Sequence, residues 1–179
     1  MIATAIALAG SSILLWAGLE KARDLGSTVA MLRQLGVPTR LARAAGLLAL
    51  AELAVALGLV FRPDSRWVVL GVVVLAVVFA FAGLVALRRG ELIRCSCFGS
   101  ARRAYLGTTQ IKALAPWLGG AAFLAVAGVE RPSPSEGATR LAVIALAIAA
   151  LRMVPLLRGW REARGDRRSA REMYVWLHR

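Results

Sequence analysis

The chain has 179 residues, 59% of them hydrophobic, with a mean hydropathy of +0.66 and a formal net charge of +13. The apolar residues form long blocks and the charges fall between them, a pattern that excludes a soluble all-α domain with an apolar stripe and an opposite polar face. The surplus bases flank those blocks, where anionic headgroups are the nearest partner, and with no zinc-finger spacing or basic-aromatic sheet pattern they give no support to nucleic-acid binding.

Five blocks approach the 17–25 residues, about, that a helix needs to cross a hydrocarbon core. The first, residues 2–19, carries no charge and has no Lys or Arg before it, so it reads as a transmembrane helix rather than a secretory signal. In the connection that follows, Leu25, Val29, Leu32 and Leu35 recur at helical spacing, with Ser27 placed to cap and Gly36-Val37-Pro38 placed to end the segment. This predicts a short amphipathic helix; continuation of the first span into water is the alternative. The second block, 44–61, contains Glu52, and Arg62-Pro63-Asp64-Ser65-Arg66 then makes a tight antiparallel turn.

The third block, 67–87, is apolar all round and is followed by a long basic connection, 88–112, that holds both cysteines. The fourth block is 113–129, with Pro116 near its start. Residues 131–137 are rich in Pro and Gly and are expected to be non-helical. The fifth block, 141–157, contains Arg152, placed to snorkel toward the interface. The tail, 158–179, is a basic amphipathic or frayed segment. The resulting division is a membrane core over 1–130, a linker and fifth span over 131–157, and the tail.

If all five blocks span, one face of the membrane carries 18 Lys and Arg and the other carries 4. The positive-inside rule assigns the richer face, which also holds the long connections and the cysteines, to the cytoplasm.

Cys95 and Cys97 are the only cysteines and stand one residue apart. A disulfide closing so short a loop is strained, which suits thiol exchange better than stapling. Soft-metal binding through two thiolates and inert packing thiols are the other readings. Glu52 lies deep in an apolar block, where a carboxylate needs a partner or a wet cavity. Lys21 and Arg23 leave the first block on the same side, so Lys21 is a candidate partner for Glu52. Either cation could favour thiolate at the cysteines, and a plain helix–helix polar contact is the alternative role for Glu52.

These residues resemble an ordered set of motifs in the MauE family, itself related to DoxX-like membrane proteins. Ala17-Gly18-Leu19-Glu20-Lys21-Ala22-Arg23-Asp24 is similar to the end of that family's first helix, and Ala51-Glu52-Leu53 to its Glu-bearing second helix. Arg94-Cys95-Ser96-Cys97-Phe98-Gly99 resembles its C-x-C-F-G signature, and Thr109-Gln110-Ile111-Lys112 the opening of the next helix. Ala113 stands where the family usually has Asn.

The resemblance implies an all-α, polytopic bundle in the cell membrane with a four-helix core, here joined by a fifth span and the short amphipathic helix. It implies a role in methylamine utilisation, in disulfide maturation of a client assisted by a separate thioredoxin-like protein. In that scheme Cys95 and Cys97 are the redox pair, Lys21 the thiolate stabiliser and Glu52 the proton acceptor. Arg23, Phe98, Gly99, Thr109 and Lys112 support them. No cofactor signature is evident, and a quinone or another electron acceptor is left open. A non-catalytic membrane scaffold is the alternative from a different functional class. Oxidative chemistry belongs outside the cytoplasm, so the family expectation and the charge bias point to opposite faces.

Overall fold

The computed structural model describes residues 2–42, 45–90, 93–95, 105–127 and 129–153. Among them run seven helices: α1 (Ile2–Arg23), α2 (Leu25–Gln34), α3 (Thr39–Ala42), α4 (Ala45–Phe61), α5 (Arg66–Arg89), α6 (Thr108–Val126) and α7 (Pro134–Met153). Four helical stretches are long and apolar enough to cross a membrane: α1, α3 running into α4 over 39–61, α5 and α7. The protein is an all-α integral membrane helix bundle. The fourth apolar block is helical from 113 to 126, in α6, which is not among those four. Thr108, Thr109, Gln110 and Lys112 in its first turns make it more polar at that end.

The chain divides into two compact units, 1–140 and 141–179. In the first, α1 packs chiefly on α4 and α5 on α6. Small residues make the α1–α4 approach possible: Ala7, Ser11, Ala17 and Gly18 on one side and Ala45, Ala49 and Ala56 on the other are buried. A Cβ on Gly18 would lie 2.8 Å from Leu53 Cγ and 3.2 Å from the Ala49 carbonyl oxygen. Ser11 Oγ donates 2.9 Å to the Ala56 carbonyl, a bond strengthened by the absence of competing water. In the second unit, the part of α7 from Leu141 onward is helical to Met153; Arg152 lies in it, and residues 154–179, including the tail, are outside the described residues.

The turn between α4 and α5 is as tight as expected. Ser65 N–H donates to the Arg62 carbonyl at 3.0 Å, with Pro63 fixing the backbone between them. The amphipathic helix also forms, with two corrections. Its N-cap is Asp24, whose Oδ1 accepts from Ser27 N–H at 3.1 Å, rather than Ser27 itself. Its buried face is Thr28 and Met31, with Val29, Leu32 and Leu35 half-buried, while Leu25 is exposed. Gly36, at φ +83°, supplies the left-handed residue just beyond the helix end.

Residues 134–137 are helical, against the expectation from their Pro and Gly content. Ser133 N–H donates to Glu136 Oε2 at 2.8 Å and Glu136 N–H donates to Ser133 Oγ at 3.3 Å, with Pro134 at the first helical position. That is a reciprocal cap followed by the one helical position where Pro loses no hydrogen bond.

Gly18→Val is expected to lower stability by about 1–3 kcal/mol by overpacking the α1–α4 contact. Gly46→Ala, where a Cβ meets nothing within 4 Å, is the matched control. Thermal unfolding in detergent reads both, and equal midpoints would show that the bundle does not depend on this close approach.

Candidate functional site

Glu52 is fully buried in α4 and Lys21, in the last turn of α1, is 1% exposed. Lys21 Nζ donates to Glu52 Oε1 at 2.7 Å and to Oε2 at 2.9 Å. This contact crosses the α1–α4 seam one turn from Gly18, whose missing side chain lets the two backbones come close enough for it. The Phe79 ring of α5 lies 5.3 Å from Nζ, within the range of a cation–π interaction. The expected partnership of Lys21 and Glu52 is therefore a direct, desolvated ion pair. Each charge there depends on the other, because an uncompensated ion in such surroundings costs several kcal/mol, roughly.

Beside the pair is a cavity of ≈ 140 Å³ whose polar lining is Lys21, Thr109 and Gln110 and whose apolar walls include Leu14, Phe79 and Trp117. Thr109 thus meets Lys21 across one space. Gln110 also secures the start of α6, its Oε1 accepting from Gly107 N–H at 2.8 Å. The close approach of Gly83 to the Gly107 carbonyl and Gln110 fixes that end of α6 on α5.

Cys95 belongs to a second centre. It is 6% exposed and packs in a cluster with Met31 of α2, Ala86 of α5, Ile93 and Leu106, flanked by Leu32 and Leu35. Arg94 and Tyr105 form an antiparallel bridge, and Leu106 N–H donates to the Ile93 carbonyl at 2.8 Å. These contacts bring the cysteine segment back against the start of α6. Cys95 is disulfide-bonded, and there is no free cysteine among the described residues. Lys21 is not a member of this cluster: both of its hydrogen bonds to carboxylate oxygens go to Glu52.

Of the other expected residues, Arg23 at the end of α1 and Lys112 on α6 are exposed. Cys97, Phe98 and Gly99 lie outside the described residues. Three contributors were missed in the sequence. Phe79 had no signal within an apolar block. Gln110 could have been found as a polar residue at the third helical position after a glycine, a capping arrangement. Met31 could have been found only by knowing what covers α2.

A family model described as "Methylamine utilisation protein MauE" matches residues 1–129. No curated protein and no solved structure matches the chain.

Lys21→Met and Glu52→Gln tests the pair by removing one charge at a time. Lys21→Met is expected to destabilise the protein by about 3–5 kcal/mol, and the double variant Lys21→Met/Glu52→Leu to recover most of that loss. Thermal unfolding in detergent measures both. A double variant no more stable than Lys21→Met would show that the two charges are not each other's compensation.

Proposed function

The chain belongs to the MauE family, and on that premise we propose that it is a membrane thiol–disulfide exchange protein that assists disulfide maturation of a client. The observation that carries this reading is the state of Cys95: disulfide-bonded, and held against α2 and the start of α6 by apolar packing and a short backbone bridge. In a chain with two cysteines, Cys97 is the intramolecular partner available to it.

Exchange begins when a client thiolate attacks one sulfur of the pair. The S–S bond breaks, a mixed disulfide forms and the other cysteine leaves as thiolate. A second client thiolate then attacks the mixed disulfide, so the client gains its disulfide and the chain is left as a dithiol. Two electrons have passed from client to chain. A separate thioredoxin-like protein is the proposed intermediary between client and chain.

In this scheme Lys21 and Glu52 act together. Their opposite charges hold the end of α1 against α4 beside the cavity that Thr109 and Gln110 line. Lys21 is proposed as the stabiliser of developing negative charge and Glu52 as the acceptor of a proton. The second reading, a scaffold without redox chemistry, draws support from exposed cations at the ends of the helices: Arg23, Arg33, Arg88, Arg89 and Lys112. They suit docking of an acidic partner surface.

The single variants Cys95→Ser and Cys97→Ser decide between these readings. One of them is expected to accumulate a mixed disulfide with a thioredoxin-like protein after alkylating quench, seen as a band that reductant abolishes. If neither traps a partner, and the double variant still supports client maturation at the wild-type level, the protein is a scaffold.

A further inference from the structure

Cys95 lies under a cover. From α2 and its C-cap come Met31, buried with it, and Leu32 and Leu35, half-buried at the edge of the cluster. Ala86 of α5, Ile93 and Leu106 close other sides, and Cys95 is left 6% exposed. A thiolate that attacks the Cys95 sulfur forms a bond to it and expels the sulfur already bonded there as thiolate. That displacement needs open access to the sulfur, and the closed cluster denies it.

Among these walls α2 is the one built to move. Ala86 belongs to a helix of 24 residues, and Ile93 and Leu106 are tied to each other by a backbone hydrogen bond of 2.8 Å. In contrast, α2 has ten residues, fewer than the roughly 12–15 at which an isolated helix becomes even marginal in water. Of these only Thr28 and Met31 are buried. The single non-helical residue Asp24 joins it to α1, and beyond its other end the chain turns through Gly36 at φ +83°. A segment so short, so shallowly buried and flanked by turns belongs at the low end of local opening free energies.

One contact ties its C-terminal end down. Arg89, in the last turn of α5, donates from Nη1 to the Gln34 carbonyl at 2.9 Å, and its guanidinium lies against Gly36, where a Cβ would collide with it. Gln34 is the last residue of α2, so its carbonyl has no partner within the helix. A cation at that end also meets the negative pole of the helix dipole. Both residues are exposed, and water can replace the bond at modest cost.

We propose that α2 is a hinged cover over the Cys95 disulfide, latched at its C-terminal end by Arg89, and that a partner thiol reaches the Cys95 sulfur only when the latch releases. The partner thiol rests on the exchange reading above; the cover does not. Arg89 is a positioning residue in this device, since it acts through α2.

The test uses the full chain in nanodiscs and two readouts. Amide hydrogen exchange follows α2 with the disulfide intact, and N-ethylmaleimide labelling of the Cys97→Ser variant follows Cys95 as a lone thiol. Arg89→Ala is expected to speed both by about three- to tenfold, the range such a bond is worth, with exchange in α1 and α4 unchanged. Arg88→Ala, which removes the same charge one residue earlier, should leave both at wild-type rates. Should Arg89→Ala fail to fold, Arg89→Gln, polar but shorter, should give the same rise.

Rates in Arg89→Ala within about twofold of wild type, or an equal rise in Arg88→Ala, overturn the latch. So does an equal acceleration in α1 and α4, which would mean loosening of the whole bundle. A change in one readout without the other overturns the cover, since the opening would then lie elsewhere. Partner trapping separates this inference from the exchange reading. Latch-dependent labelling in a protein that traps no thiol partner upholds the cover without exchange; trapping with labelling indifferent to Arg89 overturns the cover and leaves exchange standing.

Discussion

The contact between Lys21 and Glu52 is the constraint on which the rest of the bundle depends. Both side chains are inaccessible to solvent, so neither charge can be satisfied by sliding toward an interface. Their bond sets the depth of α1 relative to α4, because a shift of one helical turn, about 5 Å, would separate the charges and strand both. The small residues along the same seam are a consequence. Ala7, Gly18, Ala49 and Ala56 let two backbones approach closely, and Ser11 adds a second polar tie at the Ala56 carbonyl. Association in lipid has no hydrophobic drive between helices, so close packing and desolvated polar contacts together must supply it.

The same contact shapes the empty space. Because α1 is committed to α4 and α5 to α6, the two pairs meet along a thinner seam, and the cavities lie there rather than within either pair. Lys21 belongs to both arrangements: its carboxylate partner is across the first seam, while the residue is among those bordering the cavity in the second. Phe79 accepts this charge in a way that an aliphatic wall would not, through the negative face of its ring.

Much of the bundle was legible because the hydrocarbon solvent permits few solutions. Long uncharged runs have to become helices, and a carboxylate inside one has to find a cation, which is why Lys21 could be named as the partner of Glu52 from position alone. The short turn at Pro63 followed from its residues for a similar reason. What could not be read depended on tertiary neighbours. The buried face of α2 runs through Thr28 and Met31, and Met31 is covered by Cys95, Ile93 and Leu106; no periodicity in Leu25–Leu35 announces a cover that comes from sixty or more residues away. At residues 134–137 composition misled, since Pro and Ser there are cap residues of α7 and not breakers. The cavities have no sequence signal because a void is a property of how helices miss one another.

The cysteine segment and the ion pair were expected to form one site, and the geometry gives each its own surroundings while joining them through the start of α6. Cys95 sits among apolar side chains, buried by Met31, Ala86, Ile93 and Leu106. The ion pair sits at the polar mouth of an apolar seam, where charge is already balanced. Between them, the bridge at Arg94 and Tyr105 and the hydrogen bond from Leu106 to Ile93 hold the sulfur-bearing segment on residues that lead directly into Thr109 and Gln110.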